Sequence, residues 1–145
     1  MRFLLPGLIL FLLSACLDEP DCITTATNIV KISLKETDVD SAASVLFLKI
    51  SISGTDTLLY VGQQAPFLNL PLNPAADETT FRFYYGTSID SLTLVYSRRT
   101  SLVSPDCGAF VYFEKVAAKS YSFSDVEIIN PQLSTSATNN INIKL

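Results

Sequence analysis

No histidine occurs among the 145 residues, so neither a Ser-His-Asp triad nor a Cys-His pair can be assembled, and the commonest general base and metal ligand is missing. Hydrolytic chemistry would have to come from carboxylates. Fourteen acids could supply a glycosidase-type pair, but most fall in turn-like contexts, where Asp serves local backbone hydrogen bonding. Asp38-Val39-Asp40-Ser41 offers oxygens to a calcium ion, yet it lacks the spaced acids, glycine and terminal Glu of an EF-hand and reads more simply as a solvated loop. The remaining reactive groups are three thiols, Cys16, Cys22 and Cys107, without the Cys-x-x-Cys spacing of metal or thioredoxin-type sites. These residue types predict a non-enzyme with no cofactor and no metal.

The thiols differ in context. Leu13-Ser14-Ala15-Cys16 ends an apolar leader with small residues and then a cysteine, and it resembles the lipobox of bacterial lipoproteins. That resemblance implies acylation of Cys16, by fatty acids such as palmitate, and removal of residues 1–15. Met1-Arg2 is a one-charge start, and Phe3 to Leu13 is apolar apart from Pro6 and Gly7. A membrane-spanning helix needs about 20 apolar residues, so the leader fits the core of a signal peptide instead. The plainer alternative is an ordinary signal peptide cut after Ala15, which would not require a cysteine next. The expected organisation is a cleaved leader (1–15), a lipidated cysteine with an acidic tether (16–27) and one domain (28–145).

With Cys16 consumed by lipid, Cys22 and Cys107 remain in a chain sent to an oxidising compartment, and they are expected to pair; two free thiols are the alternative. Pairing would leave Leu17 to Asp21 as the tether, which spans at most about 17 Å. The domain would then sit close to its membrane.

Without the leader the chain keeps nine basic and fourteen acidic side chains, a net charge of −5. Nucleic acid is excluded as a partner, because phosphate backbones call for clustered Lys and Arg, and Arg98-Arg99 is the sole adjacent basic pair. A basic membrane-binding patch is likewise missing.

The elements that must position these residues read as strands. Apolar residues alternate through Asn28–Glu36, Val45–Ser53, Thr57–Val61, Leu68–Leu72, Thr80–Tyr85 and Leu92–Tyr96, with turns at Ser53-Gly54-Thr55-Asp56 and around Gly86. Gln63–Pro66 breaks the pattern. Pro71 cannot donate a ladder hydrogen bond, which places its strand at a sheet edge. Ser101–Gly108 reads as a loop, Ala109–Lys115 as a strand and Val116-Ala117-Ala118-Lys119 as a candidate helical turn. Val126–Asn130 and Ile141–Leu145 complete the set. The expected fold is all-β, an antiparallel sandwich of about 7–9 strands, Ig-like in general architecture.

Arg98 should share a strand side with Leu92, Leu94 and Tyr96. Pairing or stacking that fixes the adjacent cysteine loop is its expected role, with anion recognition as the alternative. Phe81, Phe83, Tyr84 and Tyr85 raise the idea of a ligand platform, but alternation assigns three of them to the core.

Leu92-Thr93-Leu94-Val95-Tyr96-Ser97-Arg98, Ser104-Pro105-Asp106-Cys107-Gly108 with Phe113, and Ile129-Asn130-Pro131 before Ile141-Asn142-Ile143 together resemble the DUF6452 family. The resemblance implies a small lipoprotein of Bacteroidota and no assigned chemistry. Asp40-Ser41-Ala42, Asp56-Thr57-Leu58 and Asp90-Ser91-Leu92 are similar to the O-glycosylation motif of such exported proteins, which makes Ser41, Thr57 and Ser91 candidate sites. Leu17 is not the Asp that retains some lipoproteins at the inner membrane, so outer-membrane sorting is expected by resemblance. Asp18-Glu19 is similar to an acidic surface-export signal, with a plain solvated tether as the alternative reading, so either the periplasmic face or the cell surface fits. The expected function is a lipid-anchored, non-enzymatic binding or assembly module whose partner is an envelope protein or glycan. The alternative is a carboxylate-dependent glycan hydrolase of the cell envelope.

Overall fold

The computed structural model describes residues 22–39 and 41–145. Cys16, Asp18, Glu19 and Asp40 therefore lie outside the described residues. Among those described no helix forms, and nine strands build two packed sheets: β1 (Ile29–Lys35), β2 (Val45–Ile52), β3 (Leu58–Ala65), β4 (Phe67–Pro71), β5 (Glu78–Tyr85), β6 (Ser88–Ser104), β7 (Gly108–Tyr121), β8 (Asp125–Ile128) and β9 (Ile141–Lys144). One sheet has the order β4-β1-β9-β8 and the other β3-β2-β5-β6-β7. This is the expected β-sandwich, with one departure from antiparallel pairing. β1 and β9 run parallel, Ile32 opposite Ile141 and Leu34 opposite Ile143. A parallel pair cannot be joined by a hairpin, and here the whole second sheet lies in the connection between its members.

Alternation explains the core. Successive side chains of a strand face opposite ways, so Val30, Ile32 and Leu34 of β1, Leu68 and Leu70 of β4, and Ile141 and Ile143 of β9 point inward together. From the other sheet they meet Phe47 and Ile50 of β2, Phe81 and Phe83 of β5, and Leu92, Leu94 and Tyr96 of β6. Phe83 is the centre of an aromatic cluster, its ring centroid 6.1 Å from Phe47, 6.4 Å from Phe81 and 5.1 Å from Phe123. Full burial of each such side chain contributes roughly 1.5–3 kcal/mol. β4 is the edge strand that Pro71 requires, and Tyr60 of β3 covers that edge by accepting a 3.0 Å hydrogen bond from the Asn69 amide.

Four sequence expectations are corrected. β3 continues through Gln63 and Gln64, which pair with Phe47 and Leu46, because backbone bonding to β2 needs no apolar side chain. β6 starts at Ser88, directly after a two-residue turn in which Gly86 adopts φ 52°, the hairpin geometry that suits glycine. Ser101–Gly108 is no extended loop, since β6 runs to Ser104 and pairs with β7 up to Gly108. Val116-Ala117-Ala118-Lys119 is strand, not a helical turn: the β6 pairing overrides alanine's helix preference. Lys115 takes φ 56° at a bulge there. The bulge shifts the alternation so that both Phe113 and Val116 are buried.

Asn140 is fully buried and wholly satisfied. Its Oδ1 accepts from the Lys31 amide at 3.0 Å, and its Nδ2 donates to the carbonyls of Asn130 and Gln132, both at 3.1 Å. It fastens the β8–β9 connection to β1.

Candidate functional site

About halfway along β6, at Val95, the pairing with β5 stops, and the β6–β7 hairpin continues alone as a ribbon. The turn at its tip is Ser104-Pro105-Asp106-Cys107-Gly108. Pro105 presets the first bend, the Ser104 hydroxyl accepts a 3.0 Å bond from the Cys107 amide, and Gly108 takes φ 72°. The turn holds Cys107 against the incoming N-terminal segment, where it is bonded to Cys22 with a Cα–Cα separation of 5.5 Å. The expected disulfide is therefore present, closing a loop with a sequence separation of 85.

Beside it, residues 24–28 are stitched to the domain before β1 begins. The Thr24 and Tyr112 hydroxyls lie 3.4 Å apart, the Thr135 amide donates to the Thr25 carbonyl at 3.0 Å, and Asn28 Nδ2 donates to the Leu72 carbonyl at 3.0 Å. The free edge of β7 is covered by the segment after β8, through Leu133 N–H to the Phe113 carbonyl and Val116 N–H to that of Pro131.

Between these segments and the ribbon lies a polar cleft of about 190 Å³, lined in part by Thr25, Arg99, Tyr112, Glu114 and Gln132. Arg99 sits over the Tyr112 ring at 4.9 Å and its Nε donates to Glu114 Oε1 at 2.9 Å. The cleft thus presents a cation already neutralised by its neighbour, suited to hydrogen-bonding a polar group more than to capturing an anion. Sequence reading missed it. Counting back from the Ser-Pro-Asp-Cys-Gly turn would have set Arg99 opposite Tyr112 only with knowledge of the bulge between Leu102 and Ser104.

Arg98 is corrected. It bonds Asp77, Nη2 to Oδ1 at 2.9 Å, and donates to the Pro74 carbonyl, both in the β4–β5 connection, and not to the cysteine loop. The reason is register: Glu78 pairs with Val95, so Arg98 comes alongside the residues that lead into β5. Tyr96 reinforces the same connection from inside. Its hydroxyl donates to the Asn73 carbonyl at 2.8 Å and lies 2.7 Å from that of Thr79. Burial raises the Tyr96 phenol above its ordinary value.

The remaining acids are spread over the surface. Glu78 pairs with Lys119 at 2.6 Å, Asp125 with Lys144 at 3.7 Å, and Glu127 accepts from Asn142. Asp90 accepts from the hydroxyls of Tyr85 and Ser122. Burial first, then the hydrogen bond and charge of Asp90, hold the Tyr85 phenol well above 10.0. Glu36, Asp38 and Glu127 border a cleft of about 300 Å³ with Lys144, but no group of three metal-ligating side chains forms among the described residues. Phe81 and Phe83 are buried and Tyr85 packs on the core, so of the four aromatics Tyr84 alone faces outward, under the Lys49 ammonium at 4.3 Å. Ser41 and Thr57 are exposed outside the strands, whereas Ser91 lies inside β6, half-buried and opposite Arg82, not at a strand start.

The fold and this site define a disulfide-closed, two-layer β-sandwich. The chain belongs to the DUF6452 family, a family of unknown function, whose profile matches residues 47–145. That span takes in Cys107, the ribbon and the segment that covers β7. No curated protein and no solved structure matches.

Proposed function

We propose that this chain is an envelope lipoprotein of the Bacteroidota type, held at the outer membrane by a lipid on Cys16, and that its sandwich is a non-enzymatic binding or assembly module. The observation that carries this reading is the Cys22–Cys107 disulfide. Such bonds persist in oxidising compartments outside the cytosol, and pairing of these two cysteines leaves Cys16 as the odd thiol, at the end of an apolar leader. The non-enzymatic part is supported by the acids: among the described residues, six of ten are occupied by surface ion pairs or structural hydrogen bonds. The Arg99–Tyr112 cleft is a surface suited to a polar partner group.

The test is recovery of the full chain, anchor intact, from crosslinked membranes. A stoichiometric envelope protein or glycan that is lost on Tyr112→Ala supports the module. Turnover of cell-wall or capsule glycans by the purified protein, abolished when two neighbouring acids are replaced, would show a hydrolase instead.

A further inference from the structure

The tip of the β6–β7 ribbon combines two features, the first of which it shares with β2 and β3, where Leu46, Leu48, Leu58 and Val61 are also exposed. It exposes large apolar side chains: Ile23, next to the disulfide, is 81% exposed, Leu102 68% and Val103 42%. It is also nearly free of charge. Asp106 is the sole charged residue from Thr100 to Phe113, and none occurs from Cys22 to Val30. Isolated exposed apolar residues are ordinary, but three within a few residues of one crosslink, at a ribbon tip whose one charge is Asp106, are of the kind that meets a membrane or a partner.

The length of chain between Cys16 and the tip decides between those occupants. Five residues separate Cys16 from Cys22, and however they are arranged the two cysteines lie at most about 22 Å apart. A lipid on Cys16 enters the bilayer, so the disulfide, and with it the ribbon tip, is the end of the domain that must lie next to the membrane. We infer that Ile23, Leu102 and Val103 rest in the bilayer surface, making the ribbon tip a second contact that orients the anchored domain. This inference rests on the lipid-anchor reading. The lack of cations means that the contact depends on apolar burial and not on anionic lipid. Its consequence is orientation: the Gly86 turn, at the other end of β6, points away from the membrane, and its neighbour Ile89 lies about 40 Å from Leu102 along the strand.

The chain has no tryptophan, so a single Trp introduced by substitution reports its own depth. Lipidated Leu102→Trp and Ile89→Trp, both at exposed positions, are reconstituted into phosphatidylcholine vesicles with and without brominated chains. Flotation of the vesicles reports the anchor independently of the probe. The expected result is co-flotation of both variants, with emission from position 102 quenched by more than half and that from position 89 unchanged; Val103→Trp should repeat the quenching. Co-flotation with equal, weak quenching at both positions overturns the tip contact while leaving the anchor intact, and points to a protein as occupant. Failure to float overturns the anchor and the tip contact together.

Discussion

The two halves of the β6–β7 hairpin are held together by different means. From Leu92 to Val95, β6 lies between β5 and β7, and Leu92 and Leu94 are fully buried. From Ser97 to Ser104 it has β7 alone, and the inward-side position Leu102 is largely exposed. A two-stranded ribbon is marginal by itself in water. In the second half the disulfide, the Arg98–Asp77 and Arg99–Glu114 pairs and the stack on Tyr112 take the place of burial. Burial therefore fixes the sandwich, and crosslinks fix the end that carries Cys107.

The largest effect should come from breaking the buried half. Phe83→Ala removes a ring that contacts three others, and should cost about 3–5 kcal/mol in chemical denaturation. A loss below 1 kcal/mol would show that the core is not centred there. Next, replacing Cys22 and Cys107 by Ala should cost between about 2 and 4.5 kcal/mol through loop closure. Amide exchange should rise most in Phe110–Glu114 while β1, β2 and β5 keep their protection; uniform loss would mean that the two halves are not distinct.

A third effect separates them by pH. Tyr85, on the sandwich side, and Tyr96 both hold their protons more tightly folded than unfolded. The stability they contribute is complete below the unfolded value of 10.0 and is lost as pH rises through the folded values. The denaturation midpoint should thus decline above pH 10, and Tyr85→Phe should flatten that decline. The smallest effect is Arg98→Ala, which removes an exposed ion pair and should cost no more than about 1 kcal/mol, less in high salt.

Much of the sandwich half was legible in the sequence. Val30-Ile32-Leu34 and Phe81-Phe83 follow strict alternation because one face of each strand is buried, and Pro71 marked its edge correctly. The ribbon half was not. Ser101–Gly108 is polar and carries Pro105, which reads as loop, yet hairpin pairing needs only backbone groups. The role of Arg98 depended on where β5 ends, and the helical reading of residues 116–119 failed because a bulge at Lys115 is invisible to propensity. The Cys22–Cys107 pair was found by cysteine count, whereas the Arg99–Tyr112 cleft required a register that the sequence does not display.

The proposed lipid anchor on Cys16 can be tested directly. Cells fed a labelled fatty acid should incorporate it into the native protein, found in the membrane fraction, and not into Cys16→Ser, found in the soluble fraction with its Cys22–Cys107 bond intact. Undiminished labelling of Cys16→Ser would contradict the assignment of Cys16 as the lipid-bearing residue.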